Sequence, residues 1–206
     1  MNTNLISNFI FSGKQLPDEL INDEKKRLRL EEFILERISA RKYRKGELLL
    51  ELGEVPDVIY FLIDGVVGGY KSSEDGALKL AHGWINKSIV TDGWQFIASK
   101  PSMLSIRVIK SNTVLMGLSR IYIEQMFSIF PYTRIFIENI IEDNDRNSNR
   151  TILMGYNGHQ KLGRMRDRWP GIELVAPRSF IADLLHITSQ HYCRLLREEQ
   201  DSERQR

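Results

Sequence analysis

Apolar residues recur at helical spacing at both ends of the chain and in short runs in its middle. In residues 17–40 an apolar stripe at helical spacing predicts a helix that begins near Pro17, and the stripe consists of Leu28, Leu30, Phe33, Ile34 and Ile38. Residues 42–118 instead contain short apolar runs separated by glycines, a pattern typical of an all-β sandwich or barrel. After residue 119 the helical spacing returns.

The middle region contains six short segments with the composition of β-strands. They cover residues 47–51, 58–63, 66–71, 78–84, 105–109 and 113–118. The third and fourth segments flank Asp75-Gly76, a dipeptide that favours the tight turn of a β-hairpin.

A second helical region follows, in which residues 121–130 form a short helix that Pro131 stops. Residues 132–156 then predict one helix of about 25 residues, or roughly 37 Å. Because this segment is apolar at both ends, it should span two domains or pair with its copy in a dimer. Its asparagine-rich middle has poor helix propensity, so a break there is the alternative.

Gly155 and Gly158 predict a hinge, which divides the chain into residues 1–156 and 157–206. Three short helices are expected after the hinge, over residues 161–169, 179–185 and 189–199.

Composition excludes several classes of protein. The 206 residues are 42% hydrophobic and 27% charged, which is ordinary for a globular chain and excludes disorder or a collagen-like repeat. No apolar run approaches the length of a membrane span, and the first 15 residues lack the features of a signal peptide. A single cysteine, Cys193, fits the cytoplasm and excludes an iron–sulfur or zinc site built from cysteines.

The net charge of +2 is too small to indicate a nucleic-acid partner by itself. Residues 150–206 contain ten Lys/Arg and seven Asp/Glu, or +3, whereas the rest of the chain is −1. The excess of positive charge therefore lies in the C-terminal region, where a solvated surface is the alternative explanation.

Residues 181–196 have the pattern of a helix-turn-helix. Ala182 provides the small residue that two closely packed helices require, and Thr188 or Ser189 can cap the second helix. The residues expected to face inward are Ile181, Leu185, Ile187, Tyr192 and Leu195. An ordinary amphipathic hairpin of helices is the alternative interpretation.

The second helix presents side chains suited to DNA. Gln190 and Arg194 lie four apart, on one face, and can bond adenine and guanine in the major groove. Thr188 and Ser189 at the helix start suit phosphate, and His191 suits either contact. Arg178 and Arg197 flank the motif and should contact the DNA backbone. The predicted DNA-binding residues are Arg178, Thr188, Ser189, Gln190, His191, Arg194 and Arg197.

His186 occupies the turn position at which glycine is usual in a helix-turn-helix. A left-handed backbone there costs a residue with a side chain some free energy, although histidine tolerates it better than most. We expect His186 either to adopt that conformation or to mark a different turn.

The order of helix, β-roll, long helix and helix-turn-helix resembles the Crp/Fnr family of bacterial transcription regulators over nearly the whole chain. Three motifs resemble the β-roll signature of this family: Lys45-Gly46-Glu47, Gly53-Glu54 and Tyr60-Phe61-Leu62-Ile63-Asp64-Gly65. Three others resemble its Bacteroidetes-type branch: Lys100-Pro101-Ser102, Ser105-Ile106 and Arg168-Trp169-Pro170.

This resemblance implies an α+β fold. An N-terminal double-stranded β-roll of the cyclic-nucleotide-binding type would form a sensor domain over residues 1–156, with residues 132–156 as its dimerisation helix. Residues 157–206 would form a winged-helix-like helix-turn-helix domain. The implied partners are a double-stranded DNA operator with two-fold symmetry and a second copy of the chain. RNA polymerase and an unknown small-molecule effector are further candidate partners.

The sequence departs from that family where its members hold a cyclic nucleotide. Those members use a Gly-Glu pair and a later Arg-Ser or Arg-Thr, because a cyclic phosphate needs a fixed cation and nearby donors. Here Met103-Leu104 replaces the Arg-Ser, and the segment Asp92-Gly93-Trp94-Gln95 contains no Gly-Glu. Arg107 is the nearest arginine and is better explained as a surface residue. Cyclic AMP is therefore disfavoured as the effector.

No catalytic motif, cofactor site or metal site is predicted. The histidines, at positions 82, 159, 186 and 191, are scattered along the chain without a paired spacing. We expect three aromatic residues, Trp84, Trp94 and Phe96, to lie in the core, with a ligand pocket as the alternative. We expect Cys193 to serve as a small residue near DNA, with a redox switch as the alternative. The competing function is a small-molecule sensor or protein-interaction module whose helix-turn-helix does not bind DNA.

Overall fold

The computed structural model describes residues 17–204, apart from the side chains of Phe136, Ile140, Asn144, Asn147, Arg150, Ile152 and Glu203. The segment in which we expect no signal peptide lies outside these residues. Within residues 17–204, no helix has both the length and the apolar character that crossing a bilayer requires.

The N-terminal helix predicted over residues 17–40 is divided. Helix α1 covers Asp18–Ile21 and α2 covers Glu24–Leu35. The carboxylate of Asp23 accepts a hydrogen bond from the backbone N–H of Lys26 at 3.1 Å, which caps α2 and fixes the break. The last part of the predicted helix is instead strand β1, Ser39–Tyr43, because its backbone pairs with strand β8.

All six predicted strands are present. They are β2 (Leu48–Leu50), β3 (Val58–Asp64), β4 (Val66–Ser72), β5 (Leu78–Ile85), β7 (Ser105–Val108) and β8 (Thr113–Ser119). Strand β6, Ser88–Val90, has three residues and was not predicted from the sequence. Two antiparallel four-stranded sheets result, with the orders β1-β8-β3-β6 and β2-β7-β4-β5. The predicted α+β fold with a β-roll is confirmed.

The hairpin between β4 and β5 turns where Asp75-Gly76 predicted it. Gly76 has a φ of +77°, a left-handed conformation that glycine adopts without steric cost. The hydroxyl of Ser73 and the carboxylate of Asp75 bond to each other and to Ala77, so the turn is closed by its own side chains.

The interior of the β-roll is apolar. Between the two sheets lie the buried side chains of Leu50, Leu62, Val67, Trp84, Val90, Leu104, Ile106, Val108 and Leu115. A second cluster packs α2, α4 (Arg120–Ile129) and α5 (Thr133–Ser148) on the outer face of the first sheet. Ile141 of α5 lies so close to Gly93, at the start of α3 (Gly93–Ala98), that a Cβ there would overlap its Cγ2.

The prediction of a single helix over residues 132–156 is wrong, because α5 ends at Ser148 and a 3₁₀ turn follows at Arg150–Leu153. The asparagine-rich break is where the helix ends. Asn149 forms an antiparallel bridge with His82 of β5 and accepts the backbone N–H of Thr151 at 2.9 Å. Pairing with the β-roll therefore replaces further helical bonds at this point.

His82 of β5 contacts the C-terminal end of α5. Its ring stacks on Trp84 with centroids 5.5 Å apart, and its Nδ1 is hydrogen-bonded to Oγ of Ser148 at 2.9 Å. Only 3% of His82 is exposed. Burial, together with the smaller effect of the positive charge of Lys71, lowers the pKa of His82 to about 4.

The C-terminal region is built from helices. They are α6 (Gly158–Arg168), α7 (Ile172–Val175), α8 (Arg178–Leu184) and α9 (Ser189–Arg204). Residues 157–204 contain no strand that would form a wing. Their shared core includes Leu162, Met165, Trp169 and Phe180, and it continues into Val66, Leu80 and Ile85 of the β-roll.

Candidate nucleic-acid interface

The helix-turn-helix is formed by α8 and α9. Ala182 is buried where the two helices meet, as its small size predicted. Of the residues expected to face inward, Ile181, Leu185, Tyr192 and Leu195 are buried, and Ile187 is half-buried against the same cluster. The scaffold that would hold a recognition helix is therefore packed as the sequence indicated.

His186 adopts the left-handed conformation at the turn, with a φ of +55°. Its backbone N–H donates to the carbonyl of Asp183 at 3.2 Å, and the N–H of Ile187 donates to the carbonyl of Ala182 at 3.0 Å. These two bonds end α8 and reverse the chain without a glycine.

Thr188 begins the second helix. Its hydroxyl accepts the backbone N–H of His191 at 3.1 Å, and its carbonyl accepts the N–H of Tyr192 at 2.9 Å. The sequence offered Thr188 or Ser189 as the N-cap of this helix, and the structure has Thr188 in that position.

Six of the seven predicted DNA-binding side chains are exposed. These are Arg178, Thr188, Ser189, Gln190, Arg194 and Arg197. Gln190, Arg194 and Arg197 follow one another at helical spacing along α9, so they form one stripe. His191 differs, because it is half-buried and lies against Gly158 at the start of α6.

Arg194 is held by an acidic neighbour in this structure. Its Nε lies 3.7 Å from Oε1 of Glu198, one turn later on α9. Glu198 also binds Nε2 of His159 at 3.0 Å. All three side chains are largely exposed, so these pairs contribute little to stability.

A network that sequence reasoning missed fixes α9 against the rest of the region. The guanidinium of Arg166 binds the carboxylates of both Glu173 (2.7 Å) and Glu199 (2.9 Å), and the hydroxyl of Tyr192 donates to Glu173 at 3.0 Å. The Arg166 bond lowers the pKa of Glu173, whereas burial and the nearby Glu173 charge raise the pKa of Tyr192. The partners lie 7 and 33 residues from Arg166, so no local pattern could have indicated them.

The β-roll has a carboxylate of its own in the segment that differs from the family's nucleotide site. Asp92 is 6% exposed, and its Oδ2 accepts the hydroxyl of Ser102 at 2.7 Å and the N–H of Met103 at 3.0 Å. Leu104 is buried in the roll, and Met103 is 60% exposed. Arg107 is exposed on β7 and donates to Oγ of Ser105 at 3.2 Å, at the surface where the sequence predicted it.

The remaining candidate residues do not form a second site. Trp84 and Phe96 are buried in the core as expected, whereas Trp94 is 56% exposed. Cys193 is half-buried on α9. Among the residues that the structure describes, no three His, Cys, Asp or Glu side chains come together as metal ligands would.

No protein-family model and no curated protein sequence matches this chain. Solved structures match its fold. FixK2 from Bradyrhizobium japonicum is 19% identical, with a TM-score of 0.62, over 81% of this chain and 86% of its own. The c-di-GMP responsive global regulator CLP from Xanthomonas campestris is 15% identical, with a TM-score of 0.56, over 85% and 93%.

A cyclic nucleotide-binding domain containing protein from Listeria monocytogenes EGD-e is 14% identical, with a TM-score of 0.61, over 87% of this chain and 92% of its own. At such identities the likeness establishes the fold. That fold is the one that the resemblance to the Crp/Fnr family predicted.

Proposed function

We propose that this chain is a DNA-binding transcription regulator of the Crp/Fnr type, with a binding role and no catalytic one. The observation that carries the proposal is the stripe of Gln190, Arg194 and Arg197, exposed on a helix whose opposite face is locked into a helix-turn-helix core. FixK2 and the global regulator CLP share the fold. Such a role belongs in the cytoplasm.

The two proposed domains have different roles. We propose residues 1–156 as the sensor domain and residues 157–206 as the DNA-binding domain. The positive excess of the chain lies in the second part, which is where phosphate contacts are needed.

Arg194 and Arg178 should differ in what they contribute to DNA binding. Arg194→Ala should cost about 1–3 kcal/mol on a selected operator and relax the preference at one base position, because the lost contact is to a base edge. Arg178→Ala should weaken all sequences alike and reduce the magnitude of the salt slope by about 0.9 for each protomer of the bound dimer, because the lost contact is to a phosphate. Fluorescence anisotropy with operator and random duplexes measures both.

Arg204→Ala is the matched control, since it removes the same charge from the exposed C-terminal end of α9. Its affinity should stay within about a factor of two of the wild type. If Arg194→Ala behaves like this control, Arg194 does not read a base.

We further propose that the protein acts as a homodimer joined through α5. Ile135 of α5 is 70% exposed, whereas Ile141 on the same helix is 3% exposed and packs inside the monomer. Ile135→Asp should therefore shift the protein towards monomers in sedimentation at tens of micromolar while its circular dichroism stays unchanged. Ile141→Asp should unfold the monomer instead. A wild type that is already monomeric at this concentration would exclude the dimer.

We also propose that cyclic AMP does not control this protein. The Asp92 carboxylate already takes the hydrogen bonds of Ser102 and Met103, and a phosphate brought to the same donors would meet its negative charge. Calorimetry should therefore detect no binding of cyclic AMP or cyclic GMP in the micromolar range. A micromolar affinity for either nucleotide would contradict this.

A further inference from the structure

A cavity of about 350 Å³ opens on the β-roll away from the helix-turn-helix. Both sheets contribute to its walls, together with the loop between β2 and β3. It is lined by Leu49, Leu50, Glu54, Val55, Pro56, Asp57, Val58, Tyr60, Val90, Thr91 and Ile106. A cavity of this volume fits a small organic molecule.

Seven of the eleven residues that line this cavity are apolar, and one of the polar ones is a buried hydroxyl without a hydrogen-bond partner in the described part of the chain. Thr91 is 5% exposed, and its hydroxyl has no hydrogen-bond partner among the described residues. A buried hydroxyl without a partner is unfavourable, and a ligand with a polar group can supply the missing bond.

The charged side chains that line this cavity are acidic. They are Glu54 and Asp57, both exposed at its edge, and the described lining contains no lysine, arginine or histidine. Two arginines lie outside the lining but near it, and each keeps its positive charge. Arg120 donates to the carbonyls of Pro56 and Phe96, each at 2.7 Å, and Arg41 lies over the ring of Tyr43 and pairs with Glu47.

We propose that this cavity binds a small organic cation with an apolar body, such as an aryl-alkyl amine. The apolar walls would take the body of the ligand, and the two carboxylates would attract its ammonium group. A carboxylate or phosphate ligand would be repelled by the same pair. This binding needs neither DNA nor the Asp92 network.

The charge of the ligand is tested with three molecules of similar size. The full-length protein is titrated by calorimetry with 2-phenylethylamine, 2-phenylethanol and 3-phenylpropionate in 50 mM salt. The amine should bind at least about fivefold more tightly than the alcohol, and the carboxylate should not bind measurably. The preference should shrink in 500 mM salt, because exposed carboxylates are screened. Absence of amine binding at 10 mM, or equal affinity for all three probes, overturns the proposal.

The site is tested with a charge-matched pair of variants. Glu54→Gln with Asp57→Asn should weaken the amine about tenfold and leave the alcohol within about twofold. Glu74→Gln with Asp64→Asn removes the same charge from exposed positions outside the cavity and should change neither. If both double variants weaken the amine equally, the effect is one of net charge and the cavity is not the site.

The same preparations are assayed for DNA binding, which keeps the two proposals separate. Amine binding with the expected charge order in a protein that binds no DNA would support the cavity and refute the regulator. DNA binding without amine binding would support the regulator and refute the ligand proposed for the cavity.

Discussion

Replacing Trp169 with alanine should lower the free energy of unfolding by about 3–5 kcal/mol. The indole is 4% exposed and lies in the cluster that joins the C-terminal helices to the β-roll. Its Nε1–H donates to the carbonyl of Gly83 in β5 at 3.0 Å. The alanine leaves a cavity in this cluster and removes a hydrogen bond to a buried carbonyl, and both effects destabilise the folded state. Urea unfolding followed by circular dichroism measures the loss.

Trp169→Phe separates the two contributions. Phenylalanine keeps most of the apolar surface but cannot donate a hydrogen bond, so the expected loss is about 1–2 kcal/mol. A loss below about 1 kcal/mol for the alanine variant would show that this contact does not hold the helical region on β5.

Lowering the pH from 6.5 to 4 should remove up to about 3 kcal/mol of stability through His82. Burial lowers the pKa of His82 from 6.5 to about 4, so in this range the unfolded chain binds a proton that the folded protein excludes. The contribution is complete above pH 6.5 and is lost as the pH falls towards 4. Asp145, whose Oδ1 lies 3.7 Å from Nδ1 of His82, acts in the opposite direction as the pH falls towards the ordinary aspartate pKa of 3.8, because burial raises its pKa above that value.

His82→Gln is the control, since a glutamine can bond to Ser148 and does not titrate. The difference in unfolding free energy between this variant and the wild type should shrink or reverse as the pH falls from 6.5 to 4. A difference that stays constant over this range would show that His82 is not the group that titrates.

The sequence predicts elements whose burial produces a regular pattern. Strands β3, β4, β5 and β8 were found because their apolar runs end at glycines and turns. Strand β1 was missed because it has the sequence Ser-Ala-Arg-Lys-Tyr, lies at a sheet edge and is mostly exposed, so only its pairing with β8 defines it.

The end of α5 shows a different limit. The asparagines indicated that a break was available, but His82, the residue that completes it, lies more than 60 residues earlier in the chain. The outward stripe on α9 followed from local spacing and could be predicted. The half-buried position of His191 could not, because it depends on α6 packing against α9.

The central claim is that this helix-turn-helix binds double-stranded DNA, and its most direct test is the salt dependence of that binding. An operator selected from a random pool is titrated with the wild-type protein at several salt concentrations. Two phosphate-binding arginines in each protomer, Arg178 and Arg197, predict a slope of log K against log salt near −3.6 for a dimer. The operator should also bind at least about a thousandfold more tightly than random duplex. A slope near zero, or equal affinity for operator and random DNA, would contradict the account and favour a protein-interaction module.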